Sequence, residues 1–107
     1  MNKPLLSIII PAKNRRDPQL KDLLASIQNQ DFPKDQLEVL VITEGNSEQA
    51  KAIGIQRAQG EILAFFCSDN YLRDRDFLRH NFNIVTAPVR SFVVTGCYSV
   101  HYDYVRH

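Results

Sequence analysis

Leu5-Leu6-Ser7-Ile8-Ile9-Ile10-Pro11-Ala12-Lys13-Asn14 is the stretch whose reading decides the fold. Its first six residues are largely apolar and β-branched, and they stop at a proline. A run of this kind suits a strand covered by helices on both faces of a parallel sheet. The residues after the proline are polar and basic, as expected of a loop at the carboxyl end of such a strand.

The pattern continues downstream. Asp17-Pro18 supplies an N-cap followed by proline at the first helical position, and Leu20, Leu23, Leu24 and Ile27 recur at helical spacing. This helix is expected to end near Gln28 or Asn29. Phe32-Pro33-Lys34-Asp35 reads as a turn, and Leu37-Glu38-Val39-Leu40-Val41-Ile42 as a second strand. Asn46, with Gln49 three positions on, predicts a capping box, and Gly60 marks the end of the helix. Ile62 to Phe66 forms the third strand and runs into the polar loop Cys67-Ser68-Asp69-Asn70. Asp74 is placed to cap a further helix reaching about Val85, which Pro88 prevents from continuing. Ser91 to Val100 reads as a long late strand.

This order predicts an α/β fold: a three-layer α/β/α, Rossmann-like, mostly parallel sheet built from a βαβαβ unit. Such units close right-handed and gather their ligand loops at the carboxyl ends of the strands. Three loops meet there: 12–16, 43–46 and 67–70. One is basic and two are acidic or amide-bearing. The mixture suits a diphosphate bound through a divalent metal, because carboxylates are hard ligands for Mg²⁺ or Mn²⁺. Lys13, Arg15 and Arg16 are then available to neutralise the remaining phosphate charge.

The totals narrow the function classes. A chain of 107 residues fits one domain and buries roughly two-thirds of its unfolded surface. Its 13 Lys and Arg against 12 Asp and Glu leave no general field favouring nucleic acid or an anionic membrane. The apolar run at Leu5–Ile10 is too short for a signal peptide or for a span of about 20 residues, so a soluble, cytoplasmic protein is expected. Cys67 and Cys97 lie in separate segments with no CxxC spacing, which argues against a zinc site or a disulfide framework. Neither GxGxxG nor GxxxxGK[ST] is present, so a dinucleotide fingerprint or P-loop is unsupported.

Five ordered motifs resemble the N-terminal part of family 2 glycosyltransferases. Leu6 to Asn14 is similar to the family's opening SIIIPTYN, and Leu24 to Pro33 to its SIL-x-Q-TYP segment. Val39 to Asn46 stands in the place of its VVDDGS strand end. Lys51 to Glu61 resembles its ARN-x-GI-xx-A-x-GE helix, and Phe65 to Asn70 falls where the family has its DxD metal site. The likeness covers about residues 5 to 72.

The resemblance implies a GT-A fold and transfer of a sugar from a nucleoside diphosphate, UDP-sugar favoured, to a saccharide, lipid or protein acceptor. It implies nucleotide contacts at Pro11, Ala12, Asn14, Glu44, Lys51 and Ser68, and a divalent metal, Mn²⁺ or Mg²⁺, on Asp69. No residue is assigned as catalytic base. The chain departs from the family at Cys67, where the first DxD aspartate is expected, and at Thr43, where the nucleoside-binding strand ends in aspartate. The family's extra helix and strand between Asn46 and Lys51 are absent, and so is the segment supplying the acceptor site. The expectation is therefore a single domain over residues 1–107, incomplete at its C-terminus, with a degenerate, non-catalytic nucleotide-sugar-binding domain as the alternative. An exposed late strand would allow pairing into a homo-oligomer.

Read from the residues alone, Asp69 equally suits a cap of the turn after it in place of a metal ligand. Glu44 and Asn46 likewise suit backbone amides at a helix start. Cys67 reads as a small, partly buried residue, and His80, His101 and His107 share no metal spacing.

Overall fold

The computed structural model describes residues 3–86. Its elements are β1 (Leu6–Pro11), α1 (Pro18–Gln28), a 3₁₀ turn (Lys34–Gln36), β2 (Leu37–Ile42), α2 (Ser47–Arg57), β3 (Ile62–Phe65) and α3 (Phe77–Thr86). The late strand, Pro88, Cys97 and the C-terminal tyrosines and histidines lie outside the described residues. The three strands form one all-parallel sheet in the order β2-β1-β3. This is the α/β architecture that the apolar runs predict.

β1 is central because its sequence is the most uniformly apolar. Ile8 pairs in register with Val39 on one side and Ala64 on the other. Leu6 to Ile10 are all buried, as a strand between two neighbours and two helical layers must be. Its alternate residues divide the core. Leu6, Ile8 and Ile10 join Leu20, Leu23 and Ile27 of α1 and Phe77 and Leu78 of α3 in one apolar cluster. Ile9, on the opposite face, packs against α2 at Gly54.

The helix starts follow their caps. Asp17 Oδ1 accepts from Gln19 N–H at 2.9 Å, with Pro18 at the first helical position. Asn46 and Gln49 form both bonds of the capping box, at 2.8 and 2.9 Å. Gly45 before it has φ +70°, the left-handed region where a side chain is strained.

Several boundaries differ from the sequence reading: β1 runs over Leu6–Pro11 and β3 stops at Phe65, each one residue from the expected end. The turn after α1 winds as 3₁₀ over Lys34–Gln36. α3 begins at Phe77, because residues 74–76 form a turn in which Asp74 O accepts from Phe77 N–H at 3.2 Å. α2 ends at Arg57, with Ala58 as an extended cap residue, so Gly60 is not its terminator. Gly60 instead allows a close approach: a Cβ there would stand 2.6 Å from Ser7 Oγ and 2.7 Å from Ser7 N.

That approach belongs to a polar tie inside the sheet. Ser7, fully buried, donates to Glu38 Oε1 at 2.7 Å and accepts from Gly60 N–H at 2.8 Å. Glu38 Oε1 also accepts from Gln59 N–H at 2.9 Å. One hydroxyl and one carboxylate thus join β1, β2 and the chain entering β3, and the buried hydroxyl is satisfied as it must be.

Gly54 makes the second close approach, since a Cβ there would lie 2.4 Å from Ile9 Cγ2. In a free helix, alanine is better than glycine by about 1 kcal/mol. Here Gly54→Ala is expected to destabilise the protein by about 1–3 kcal/mol, because the methyl must push α2 off the sheet. Urea unfolding checks this, and a variant as stable as the parent would contradict the packing described.

Candidate functional site

The three strands point their carboxyl ends at one cleft of about 810 Å³. Its walls come from the end of β1 (Pro11, Ala12 and Lys13), the start of α2 (residues 45–47, 50 and 51) and the end of β3 (residues 65–68 and 70). The size falls within the range of small-molecule sites. The location follows from topology. The chain leaves β1 towards β2 and then returns past β1 to reach β3, with α1 and α2 on opposite faces, so a crevice opens where the strand order reverses.

The cleft has one electrical sign on its walls. Among the described residues, Lys13 and Lys51 are its charged side chains, and no Asp or Glu lines it. Lys51 Nζ stands 3.5 Å from Glu48 Oε2, but both side chains are substantially exposed, so the pair is worth about 1 kcal/mol at most. The first turn of α2 adds the positive end of the helix dipole.

Of the residues singled out from sequence, Pro11, Ala12, Lys51 and Ser68 line the cleft. Asn14, Glu44 and Asp69 do not. Asn14 Oδ1 accepts from Arg16 N–H at 2.6 Å, which folds the basic loop on itself. Arg15 Nη2 donates to Val41 O at 2.9 Å, so this guanidinium is tied to β2. Glu44 forms a two-pronged pair with Arg57, at 3.1 and 3.2 Å. Asp69 is half-buried in the turn after β3, beside the wall and not part of it.

The divalent metal expected on Asp69 fits this donor set poorly. No group of three or more His, Cys, Asp or Glu gathers among the described residues. Cys67, two residues before Asp69, offers a thiol, a soft ligand unsuited to Mg²⁺.

Sequence reasoning missed the residue that is chemically most distinctive. Asn70 is 4% exposed and lines the cleft. Its Oδ1 accepts from Cys67 N–H at 2.8 Å, closing the turn after β3. That bond fixes the amide's orientation and leaves Nδ2 without a hydrogen-bond partner among the described residues. A buried unpaired donor is costly and calls for an acceptor. The only signal in the sequence was its place in the 67–70 loop.

The loop is held from below by two further buried polar residues. Ser26 Oγ accepts from Leu72 N–H at 3.1 Å and donates to Leu23 O at 2.7 Å. Gln30, 3% exposed, donates to Asp74 O at 2.6 Å and accepts from Leu78 N–H at 2.9 Å. The bonds to Leu72, Asp74 and Leu78 span more than forty residues of sequence, so no local pattern announces them.

No protein-family model matches this chain, and no curated protein matches its sequence.

Gln30→Ala strands the buried Leu78 N–H and is expected to cost about 2–3 kcal/mol. Hydrogen exchange at residues 70–78 should accelerate more than at β1. Unchanged exchange in that segment would show that Gln30 does not anchor it.

Proposed function

We propose that this chain is the donor-binding part of a glycosyltransferase of GT-A type, holding a nucleoside diphosphate sugar in the cleft at the carboxyl edge of the sheet. The observation that carries the reading is the cleft itself: a crevice at the strand-order reversal of a parallel sheet, walled by a helix start and two lysines. Anions bind well at such a place, because helix amides, the dipole and ammonium groups all favour negative charge there. The motif resemblance over residues 5 to 72 supports the sugar nucleotide as the particular anion.

In this reading the apolar wall of Pro11, Ala12 and Phe65 takes the less polar part of the nucleotide, and Lys13 and Lys51 take its diphosphate. The chain's contribution to transfer is charge stabilisation at the departing diphosphate and positioning of the donor. No general base is assigned, and the acceptor, whether saccharide, lipid or protein, is left to chemistry outside this cleft.

A second reading, a nucleotide-sugar-binding domain without turnover, is favoured by one feature. Cys67 stands in place of a motif carboxylate, and among the described residues the cleft walls carry no acid. Binding with no release of free nucleotide from the donor, tested in the presence of candidate acceptors, separates it from the first.

Calorimetric titration of UDP, GDP and their sugar conjugates tests the common core of both readings. At least one nucleotide is expected to bind, with Lys51→Ala weakening it about tenfold, the loss of one charge-assisted contact. Absence of binding by every nucleotide, or a full-affinity Lys51→Ala protein, would contradict the proposal.

A further inference from the structure

We propose that the cleft takes the diphosphate directly on its own cations and hydrogen-bond donors, without a divalent metal ion. This inference rests on the nucleotide reading above and specifies how that site recognises its ligand.

Charge is distributed in a way that disfavours a bridging metal. A divalent ion between protein and diphosphate needs carboxylate oxygens on the protein side, because Mg²⁺ and Mn²⁺ prefer hard ligands. Among the described residues the cleft walls carry none. Glu44 is engaged by Arg57 through both of its oxygens. Lys13 and Lys51 meanwhile give the walls an ammonium for each phosphate of the diphosphate, and the start of α2 adds about half a positive charge. A metal bridging to these walls would meet like charge.

Asn70 points the same way, independently of charge. Its side-chain oxygen, the atom that would ligate a cation, is already taken by Cys67 N–H at 2.8 Å. Its Nδ2, buried and without a partner, is a donor. A donor pairs with a phosphate oxygen and repels a metal ion. The oxygen of this amide is therefore not available to a cation, and the atom it leaves without a partner is a donor.

Cys67 fits the same arrangement. It is an exposed cysteine in the wall, where the resemblance leads one to expect a carboxylate, and the lack of a carboxylate at that position removes the repulsion that an acid would exert on unmetallated phosphate.

The test is titration of UDP into the 107-residue chain in EDTA and, separately, in Mn²⁺. Affinity in EDTA is expected to lie within about threefold of that in Mn²⁺, a difference under roughly 0.7 kcal/mol. Asn70→Asp keeps an oxygen for Cys67 N–H, replaces the free donor by a negative acceptor, and is expected to weaken binding in EDTA more than about tenfold. Lys13→Ala changes an exposed residue outside the core and is expected to weaken binding about five- to tenfold, so the inference stays testable if the Asn70 variant folds poorly. Binding that appears only with Mn²⁺ overturns the inference and leaves the nucleotide reading standing. Binding in neither buffer overturns the nucleotide reading, and the inference falls with it.

Discussion

The contact between Gly54 and Ile9 governs where everything else in the cleft can be. α2 buries only Ala50 and Gly54 and leaves Ile55 half in solvent, so it has little apolar surface with which to hold itself against the sheet. Small residues compensate by letting the helix backbone approach closely, since dispersion weakens steeply with each fraction of an ångström of gap. With α2 seated on Ile9, its first turn is carried to the carboxyl edge. Gly45 supplies the positive φ that turns the chain from β2 into the capping box of Asn46 and Gln49. The polar tie of Ser7, Glu38 and Gly60 fixes the other end of the same layer.

The opposite layer works differently. There the large side chains of α1 and α3 fill the space above Leu6, Ile8 and Ile10, and Phe32 meets Phe82 edge to face with ring centroids 5.5 Å apart. Burial of this kind is strong but not directional. Direction is supplied by Ser26 and Gln30, whose buried hydroxyl and amide groups bond to the backbone between β3 and α3 and at the start of α3. They set the path of the chain that carries Cys67 to Asn70. The cleft is thus bounded by one layer positioned through close approach and another positioned through buried hydrogen bonds.

The parts of this arrangement that are legible in the sequence are the local ones. The β-branched run at Leu5–Ile10, the Asp17-Pro18 helix start and the Asn46–Gln49 box each depend on neighbours within a few residues, and each is found where the pattern puts it. Gly60 reads as a helix terminator because a helix end and a close strand contact call for the same residue type, and only the position of Ser7 distinguishes them. Glu44 has the look of a ligand, yet Arg57, thirteen residues on, comes round one face of α2 to meet it. Of the residues lining the cleft, Pro11, Ala12, Lys51 and Ser68 are legible from loop position. Asn70 is not, because an unpaired buried donor is a property of the assembled walls.

If the carboxyl edge of the sheet is where this chain receives its ligand, the amide chemical shifts of the ¹⁵N-labelled protein during a UDP titration will report it directly. The perturbed amides are expected to cluster at Ala12, Ser47, Lys51, Cys67 and Asn70, and the Asn70 side-chain amide to move with them. Binding accompanied by shifts at the opposite edge, around Leu37 and Ile62, with those cleft signals unmoved, would contradict it.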